Sequence, residues 1–418
     1  MNRPVRLALI ENSIGVSGST LSLTTLVKRL DRRRFAPHVV VARPEQEAYL
    51  RARIDPAIPI TRIGQRASVK TARWAQRGRL LPRVAALLDL LLVTLPYALA
   101  LRRFLRRNRI QLVHQNNGFD IAAVPLCRLM GLPLVAYQRG NEWHSRLVRR
   151  LAPLASCYVA NSRATRDDLV ALGVPPELIT VVYPPVDLQD FEPADPAPPP
   201  NRAGHGVPAD APCFGILGKL QGWKGQTVFL RAARRVLDTH PEARAWIVGD
   251  APAGEEAFAA ELRALAQSLR IADRVVFTGF VADVPGVIRL LDVVVHASVG
   301  REPFGRVIVE AMMMGRPVVA ADSGGPREII EDGRTGLLVP RGDDAALAAA
   351  ICRLLGDRAL AGAMGEAGRS EATRRFSAAE HALAVESVYD RVLSIGAHPR
   401  STERDQPRPS RASHEGGH

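Results

Sequence analysis

Residues 302–340 read EPFGRVIVEAMMMGRPVVAADSGGPREIIEDGRTGLLVP and indicate the class of fold. Two carboxylates, Glu302 and Glu310, stand with seven residues between them, across a predicted loop-to-helix junction. An apolar strand is predicted over Pro317–Ala321, and the glycine pair after it opens another helix. In an α/β sheet such turns lie at the carboxyl ends of strands, where ligands bind. Helix N-termini there offer free N–H groups and a positive dipole end, which favour an anionic ligand.

Outside this stretch, short apolar runs alternate with amphipathic segments, a pattern that predicts parallel sheets covered by helices. One series occupies residues 1–188 and a second occupies residues 213–395, so we expect two Rossmann-like domains. Residues 189–212 are rich in proline and alanine and predict a linker. Residues 396–418 are polar and aperiodic, and we expect disorder there. The predicted strands are Val5–Ile10, His38–Ala42, Ile110–His114, Pro133–Tyr137, Cys157–Asn161, Ile179–Tyr183, Phe214–Leu217, Ala245–Val248, Val275–Thr278, Val293–His296 and Val318–Ala321.

The composition is typical of a soluble globular protein. The chain has 418 residues, of which 47% are hydrophobic, and a mean hydropathy of −0.02. Its four cysteines have no short spacings, which argues against a disulfide framework or a zinc site and favours a reducing compartment. The apolar run near the N-terminus ends at Glu11, too early for a secretory signal. We therefore expect a first β-strand there and a cytoplasmic protein.

Positive charge is concentrated in the first half of the chain. Residues 1–190 contain 29 Lys and Arg against 13 Asp and Glu, a net charge of +16, whereas the remainder has a net charge of −2. We expect the first half to be attracted to anionic surfaces, and the attraction to weaken with added salt. Binding to nucleic acid is disfavoured, because the chain has no zinc-finger spacing, RNP-like aromatic run or basic heptad.

The longest apolar run, ALLDLLLVTLPYALAL, lies within Leu81–Leu105. Asp89 and Pro96 interrupt it, so we do not expect it to span a membrane. Two interpretations remain: a buried core helix with a basic cap, or an interfacial element that contacts anionic lipid. Arginines crowd both ends of the run, at Arg73, Arg77, Arg79 and Arg83 before it and at Arg102, Arg103, Arg106 and Arg107 after it.

Polar residues also follow two other predicted strands. Gly218, Lys219 and Lys224 come after Phe214–Leu217, where the two lysines are either ordinary surface residues or counter-charges for a diphosphate. After the first strand, residues 15–19 (GVSGS) form either a simple turn with a helix cap or a loop that approaches phosphates. This loop does not match G-x-G-x-x-G, and no acidic residue ends the second strand. Both facts disfavour a dinucleotide-dependent dehydrogenase.

A glycosidase would also use two carboxylates. Its pair flanks one glycosidic bond at a separation of about 5 to 9 Å. Eight positions along a helix span about 12 Å. Glu302 and Glu310 therefore suit two different parts of an elongated ligand.

Taken together, these residues closely resemble the donor-binding signature of glycosyltransferase family 4. These are retaining group 1 glycosyltransferases of GT-B fold, and they include sucrose synthases and phosphatidylinositol mannosyltransferases. The resemblance covers residues 1 to about 395 and is most specific over Val275–Pro340. It implies two Rossmann-like domains that face each other across a cleft, with a last helix that often crosses back to the first domain. The implied reaction moves a sugar from a UDP- or GDP-linked donor to an acceptor hydroxyl, with retention of configuration and without a protein nucleophile.

The resemblance also implies roles for residues on the donor side. Glu302 would hold hydroxyls of the donor sugar, Glu310 would hold the ribose hydroxyls, and backbone around Val281 would read the base. Lys219 and Lys224 would offset the diphosphate, and with Glu302 they form the predicted catalytic set. Lys219 stands where the family usually has arginine, so the bidentate fork is lost. The other predicted donor-binding residues are Gly18, Gly218, Phe304 and Gly305.

On the acceptor side, the resemblance implies Gly15 and Ser17 of the glycine-rich loop, together with Arg139 and His144. Arg139 stands where many relatives have a histidine, and His144, five residues later, is either its substitute or an ordinary satisfied side chain. The chain contains no D-x-D triplet, so we expect no bound metal. Lysines, backbone amides and helix dipoles would then stabilise the departing diphosphate.

We expect the acceptor to be a glycan or a lipid-linked intermediate, and the first domain to dock peripherally on the anionic inner face of the cell membrane. The alternatives are a nucleotide-sugar epimerase of similar fold and a non-catalytic membrane-bound relative. An epimerase would isomerise its donor in the absence of any acceptor, which separates it from a transferase.

Overall fold

The computed structural model describes residues 3–13, 15–64, 81–140, 146–187, 201–252 and 254–397. Outside these residues lie the predictions that concern Arg73, Arg77, Arg79, His144, the first part of the linker (residues 189–200) and the tail after residue 397. Within them, the chain forms two parallel α/β domains, which confirms the predicted fold class.

The first domain is built on a parallel sheet of seven strands. Alternate residues of the first strand face two different cores: Leu7 and Leu9 pack on one side of the sheet, and Ala8 and Ile10 on the other. Burial on both faces explains why the strands read as continuous apolar runs. The strands are β1 (Val5–Glu11), β2 (Phe35–Val41), β3 (Ile60–Arg62), β4 (Leu112–Gln115), β5 (Leu134–Gln138), β6 (Cys157–Ala160) and β7 (Ile179–Val181), in the order β3-β2-β1-β4-β5-β6-β7.

The second domain has the same construction around a parallel sheet of six strands. Its strands are β8 (Cys213–Leu217), β9 (Arg244–Val248), β10 (Val275–Gly279), β11 (Val293–His296), β12 (Val318–Ala321) and β13 (Leu337–Val339), in the order β10-β9-β8-β11-β12-β13. β3 and β13 were not predicted. Each has three residues and lies at the edge of its sheet.

Fifteen α-helical segments accompany these sheets in the described residues. In the first domain they are α1 (Gly18–Arg29), α2 (Pro44–Arg51), α3 (Leu81–Asp89), α4 (Leu95–Arg107), α5 (Ala123–Met130), α6 (Arg146–Leu151) and α7 (Arg163–Ala171). In the second they are α8 (Gln226–Thr239), α9 (Glu256–Ser268), α10 (Val284–Leu290), α11 (Arg306–Met313), α12 (Pro326–Ile329), α13 (Asp344–Gly356), α14 (Arg358–Arg375) and α15 (Ala378–Ala397).

Pro96 lies within a continuous helix of the first domain. α3 and α4 are joined by a π-helical segment, Leu90–Thr94, so that helical backbone runs continuously from Leu81 to Arg107. A proline lacks the N–H group of a regular helix and clashes with the preceding turn, and a π-bulge is one way to accommodate such a disruption. Residues 84–107 are, by length and composition alone, sufficient to cross a membrane.

The chain returns to the first domain at its end. Val385, Val388 and Tyr389 of α15 are buried against β1 and α1. Arg34, which precedes β2, binds Glu386 at 2.8 Å and Asp390 at 2.6 Å. The last helix therefore joins the two domains without belonging to the core of the second.

The later part of the predicted linker is packed on the second domain. Val207 and Ala211 are buried in the core that α10 and α11 cover. Arg202 donates to the backbone oxygen of Leu290 at 2.8 Å and to Asp292 at 2.9 Å. Residues 201–212 are therefore an ordered extension of the second domain.

Candidate active site

A cleft of about 880 Å³ lies between the two domains and is lined by both. Of the predicted site residues, Gly18, Arg139, Glu302, Phe304 and Gly305 line it. The residues that line it without having been predicted include Ser19, Ser22, Asn161, Trp223, Arg301 and Arg306.

Two helix N-termini meet across this cleft. α1 of the first domain begins at Gly18, and α11 of the second begins at Arg306. A β-carbon built on Gly18 would lie 3.7 Å from Cδ of Arg306, so the two helix starts are in contact distance. The N–H groups and positive dipole ends of both helices thus face one space.

Ser17 precedes the first turn of α1 as its N-cap residue. The Ser17 amide donates to Thr20 Oγ1 at 3.3 Å. The Ser17 hydroxyl lies 2.8 Å from that of Ser19. Ser17 and Gly15 therefore shape the start of α1 but do not line the cleft.

Glu302 is buried at the wall of the cleft and binds three side chains of its own domain. One carboxylate oxygen, Oε2, accepts from Lys224 Nζ at 2.8 Å and from Ser298 Oγ at 3.1 Å, and lies 3.0 Å from His296 Nε2. Burial alone would raise the pKa of this carboxyl, but the His296 hydrogen bond and the Lys224 charge outweigh it. Together they hold the pKa of Glu302 well below its usual range, so the group is an ionised acceptor.

The glycine pair of the sequence signature supports the loop that carries Glu302. The Gly325 amide donates to the Glu302 backbone oxygen at 2.9 Å. A β-carbon at Gly324 would lie 2.3 Å from that oxygen, and one at Gly325 would lie 2.2 Å from the Phe304 oxygen, so only glycine permits this approach. α12, which follows, has four residues, and the Gly325 N–H at its start is bound to Glu302.

Lys224 does not line the cleft, but it binds Glu302, which does. It ends a 3-10 turn, Gly222–Lys224, and its ammonium lies 3.9 Å from the centre of the Trp223 ring. Gly225 has a φ of +78°, and a β-carbon there would lie 1.9 Å from the Ala297 backbone oxygen. Only glycine therefore lets α8 start this close to the end of β11.

Three other donor-side residues lie away from the cleft lining. The Lys219 side chain is exposed, and its backbone oxygen accepts from Gln226 Nε2 at 2.9 Å. Gly218 donates its amide to Val248 at 2.9 Å, and Val281 packs against the core of the second domain. The structure therefore does not bring Lys219, Gly218 or Val281 to the wall that holds Glu302.

Glu310 is one turn into α11 and forms an ion pair with Arg306 of the same helix, at 2.6 Å. Arg306 also crosses to the first domain and donates to the Pro185 backbone oxygen at 3.1 Å. Glu310 is 9% exposed and does not itself line the cleft. Arg306 was not predicted, although its spacing of four positions from Glu310 on a predicted helix was a signal for such a pair.

Arg139 is held in place by the end of β4. Its Nε donates to the Asn116 backbone oxygen at 2.8 Å and its Nη2 to Asn116 Oδ1 at 2.9 Å, while the guanidinium lies 3.8 Å from the Tyr137 ring centre. The side-chain nitrogen of Asn116, Nδ2, donates in turn to the Glu11 carboxylate and to the Ser19 backbone oxygen. The arginine on the acceptor side is thus a fixed cation at the cleft.

Contacts between the two domains lie beside the cleft. Glu328 of α12 accepts from the amides of Arg163 and Ala164 at the start of α7, both at 2.8 Å. Arg301 of the second domain forms an ion pair with Asp168 of α7. These contacts join residues more than a hundred positions apart, so no local pattern indicates them.

Comparisons with known proteins agree with this architecture. The family described as "Glycosyl transferases group 1" matches residues 211–357, and "Glycosyltransferase Family 4" matches residues 16–190. The lipopolysaccharide core biosynthesis mannosyltransferase LpcC of Rhizobium leguminosarum bv. viciae is 32% identical over 294 residues, which are 69% of this chain and 80% of LpcC. The chain belongs to the group 1 glycosyltransferases.

Two further relatives of this glycosyltransferase differ in how much they share with it. A D-inositol 3-phosphate glycosyltransferase of Corynebacterium kroppenstedtii is 36% identical over 59% of this chain, and the match spans only 55% of that protein. The crystal structure of Anabaena HepE in complex with UDP is 26% identical, with a TM-score of 0.75 over 93% of this chain and 100% of that one. The fold of the glycosyltransferase is therefore GT-B.

Two further residues of the site were not predicted. They are His296 and Ser298, which bind Glu302. Their position at and just after the carboxyl end of β11 was a usable signal, because that edge of an α/β sheet is where ligands bind. Among the described residues, no group of three or more His, Cys, Asp or Glu is arranged to hold a metal ion. The cleft therefore offers an ionised carboxylate, fixed arginines and two helix N-termini, which together suit a polyhydroxylated anion.

Proposed function

We propose that this glycosyltransferase is a retaining family 4 enzyme that transfers a sugar from a UDP- or GDP-linked donor to an acceptor hydroxyl. The observation that carries the proposal is the meeting of the α1 and α11 N-termini beside the buried Glu302 carboxylate. The helix ends suit a diphosphate and the carboxylate suits sugar hydroxyls. HepE, crystallised with UDP and with UDP-glucose, supports a nucleotide sugar as donor.

The roles that we propose for the carboxylates follow their surroundings. Glu302 lines the cleft and would accept from hydroxyls of the donor sugar. Glu310 is neutralised by Arg306 and would reach the ribose once that arginine turns toward the diphosphate. Lys224 would act through Glu302, and Lys219 would contribute a more distant charge.

A thermal-shift screen with UDP, GDP, ADP and their sugars tests the donor class. A ligand at a hundred times its Kd stabilises the folded protein by about 2.7 kcal/mol. We expect UDP or GDP to raise Tm, and the absence of a shift with every nucleotide would refute the proposal. Incubation with donor alone, followed by NMR of the sugar, separates a transferase from an epimerase, and the anomeric configuration of the transferred sugar tests retention.

We also propose that the acceptor is a lipid-linked or membrane-borne glycan at the cytoplasmic face. The apolar helix of the first domain supports this proposal, because seven of its large side chains are between 46% and 56% exposed. A groove of about 440 Å³ follows them, lined by Leu99 and four arginines. The exposed side chains are Val84, Leu87, Leu90, Leu91, Leu92, Leu95 and Leu99, and the arginines are Arg102, Arg103, Arg106 and Arg107.

The packing of this helix favours a position in the membrane surface over a span. The second half of the helix packs on the sheet of the first domain and cannot enter a membrane. Its buried residues are Tyr97, Leu101, Phe104 and Leu105. Residues 81–96 remain, and sixteen helical residues measure about 24 Å. That is short of the hydrocarbon thickness of about 30 Å. An apolar face followed by arginines instead suits the boundary between acyl chains and anionic headgroups.

A further inference from the structure

The two oxygens of the Glu302 carboxylate have different surroundings. Oε2 lies 2.8 Å from Lys224 Nζ, 3.0 Å from His296 Nε2 and 3.1 Å from Ser298 Oγ. Oε1 makes no hydrogen bond with any residue that the structure describes, and it is not among the enclosed polar atoms that lack a partner. Because Glu302 lines the cleft, Oε1 is the oxygen that is open to it.

The three neighbours of Oε2 use up its capacity to accept hydrogen bonds. An ionised carboxylate has about four acceptor sites, shared between its two oxygens. Oε2 already meets three hydrogen-bond donors and therefore has no site left for a ligand. A hydroxyl group that enters the cleft can reach this carboxylate only at Oε1.

His296 holds Oε2 from a fixed position at the end of β11. A carboxylate oxygen accepts and does not donate, so His296 Nε2 carries the proton of this hydrogen bond. β11 is an inner strand that pairs with β8 and β12. Ser298 follows in the same segment, and its Oγ lies 3.2 Å from His296 Nε2. Both side chains are buried and neither lines the cleft, so they support the carboxylate from inside the second domain.

Lys224 is a less constant support than these two residues. Its ammonium is a point charge on a flexible stem. The Lys224 side chain is 24% exposed, against 4% for His296. An anion in the cleft can draw the ammonium away from Oε2, whereas His296 and Ser298 stay buried. The position of the carboxylate then depends on His296 and Ser298.

We propose that His296 is a positioning residue of this transferase. With Ser298 it holds Oε2 of Glu302, and it thereby aims Oε1 alone at a hydroxyl of the donor sugar. Selectivity for that hydroxyl then depends on a histidine that does not itself touch the sugar. The assignment rests on the proposed function, in which Glu302 accepts from hydroxyls of the donor sugar.

Calorimetric titration of the wild-type protein measures this selectivity. The probes are UDP-glucose, UDP-galactose and GDP-mannose, and then the analogues of the tightest binder that each lack one hydroxyl of the sugar. We expect the loss of one hydroxyl to weaken binding about tenfold or more, because a hydrogen bond to a charged group is removed. Equal affinities for the parent compound and all of its analogues would overturn the assignment.

Two changes at His296 separate positioning from a merely structural role. His296→Leu removes the N–H group, so the parent compound should bind about tenfold more weakly. The critical deoxy analogue should bind as it does to the wild type, so the selectivity for the hydroxyl shrinks toward one. His296→Gln can place an N–H group where Nε2 lies and should restore most of the selectivity. A structural defect would weaken parent and analogue alike, and equal losses for both in His296→Leu would refute positioning.

Two further variants complete the experiment. Ser298→Ala removes the second buried support of Oε2 and provides the same comparison if His296→Leu does not fold. His38→Leu is the matched control, since it removes a half-buried imidazole whose Nε2 lies 2.7 Å from Thr61 Oγ1, away from the residues that line the cleft. It should keep the wild-type selectivity. A loss of selectivity as large as that of His296→Leu would count against the assignment.

Free UDP and GDP separate this assignment from the proposed function. Because they carry no donor sugar, all the variants should bind them as the wild type does, which also shows that the variants fold. A wild-type protein that binds neither nucleotide refutes the proposed function itself. Normal nucleotide binding, combined with unchanged hydroxyl selectivity in His296→Leu and Ser298→Ala, refutes only the positioning role.

Discussion

At the scale of single residues, Glu302 and Glu310 differ in what neutralises them. Glu302 meets a lysine, a histidine and a serine of its own domain, whereas Glu310 meets an arginine that also contacts the other domain. In the first arrangement the partners His296 and Ser298 are themselves buried. In the second arrangement Arg306 can exchange Glu310 for another partner, because any anion that enters the cleft can also bind its guanidinium.

We predict that Glu310→Gln weakens nucleotide binding and that Glu302→Gln mainly slows transfer. Loss of a hydrogen bond to a charged group costs about 1.5–3 kcal/mol, or roughly a 10- to 150-fold effect. Titration of the nucleoside diphosphate into both variants measures the first effect, and kcat measures the second. Equal losses of nucleotide affinity in the two variants would contradict this division of roles.

Metal dependence is also decided by individual residues. We predict that transfer survives chelation by EDTA, because the chain has no D-x-D triplet and carries arginines and helix N-termini at the cleft. The measurement is the transfer rate before and after chelation and after addition of magnesium or manganese. Full loss of activity in EDTA, with recovery on adding either ion, would show the prediction to be wrong.

At the scale of elements, the helix formed by α3, the π-helical segment and α4 has two dissimilar halves. Its first half exposes leucines, and its second half buries one face on the sheet and exposes arginines on the other. Each basic residue near an anionic membrane contributes about 1 kcal/mol. The arginines should therefore make membrane binding dependent on salt.

We predict that the wild-type protein floats with anionic vesicles at low salt, and that it floats less at high salt or with neutral vesicles. Arg106→Glu combined with Arg107→Glu should weaken partition into anionic vesicles about thirtyfold or more, since at least about 2 kcal/mol is lost. The matched control is Arg341→Glu with Arg358→Glu, an equal charge change at exposed positions of the second domain. Equal flotation of both double variants would contradict a specific role for α4.

The pattern of elements was largely readable from the sequence. Every predicted strand lies where a strand is observed, to within a few residues, because burial on both faces leaves a continuous apolar run. The short edge strands β3 and β13 were missed. The π-helical segment that precedes Pro96 was not predicted, because local propensity does not indicate such a segment.

At the scale of the whole molecule, α15 ties the two domains together through a buried polar cluster. His114 Nδ1 lies 2.8 Å from the Tyr389 hydroxyl, and His381 Nδ1 lies 2.8 Å from the Tyr183 backbone oxygen. Burial lowers the pKa of each histidine to about 3, and the nearby Arg139 charge adds to the shift. Both imidazoles are therefore neutral in the folded protein over the ordinary pH range.

This cluster makes stability depend on pH. The folded pKa values lie below the unfolded value of about 6.5, so between pH 6.5 and about 3 the unfolded chain binds more protons. Stability is then fully present above about pH 6.5 and falls as the pH is lowered, by about 2 kcal/mol for each histidine at pH 5. We predict a matching decrease of Tm between pH 7.5 and pH 5.

The variants His114→Gln and His381→Gln test the source of this dependence. Each should reduce the slope of Tm against pH, even if it lowers Tm at every pH. His205→Gln, at an exposed histidine, is the control and should keep the wild-type slope. An unchanged slope in both buried-site variants would assign the acid sensitivity to other groups.

The sequence by itself determined the α/β class, the two-domain division and the stretch that carries Glu302 and Glu310. These features depend on local periodicity and on short motifs, which a chain displays without being folded. Tertiary structure alone decided which residues from distant segments meet. Arg306 reaches Pro185, Glu328 caps α7, and Lys224 binds Glu302. The physical reason is that such contacts join segments far apart in the chain, whose distance is set by the packing of two sheets and the return of α15.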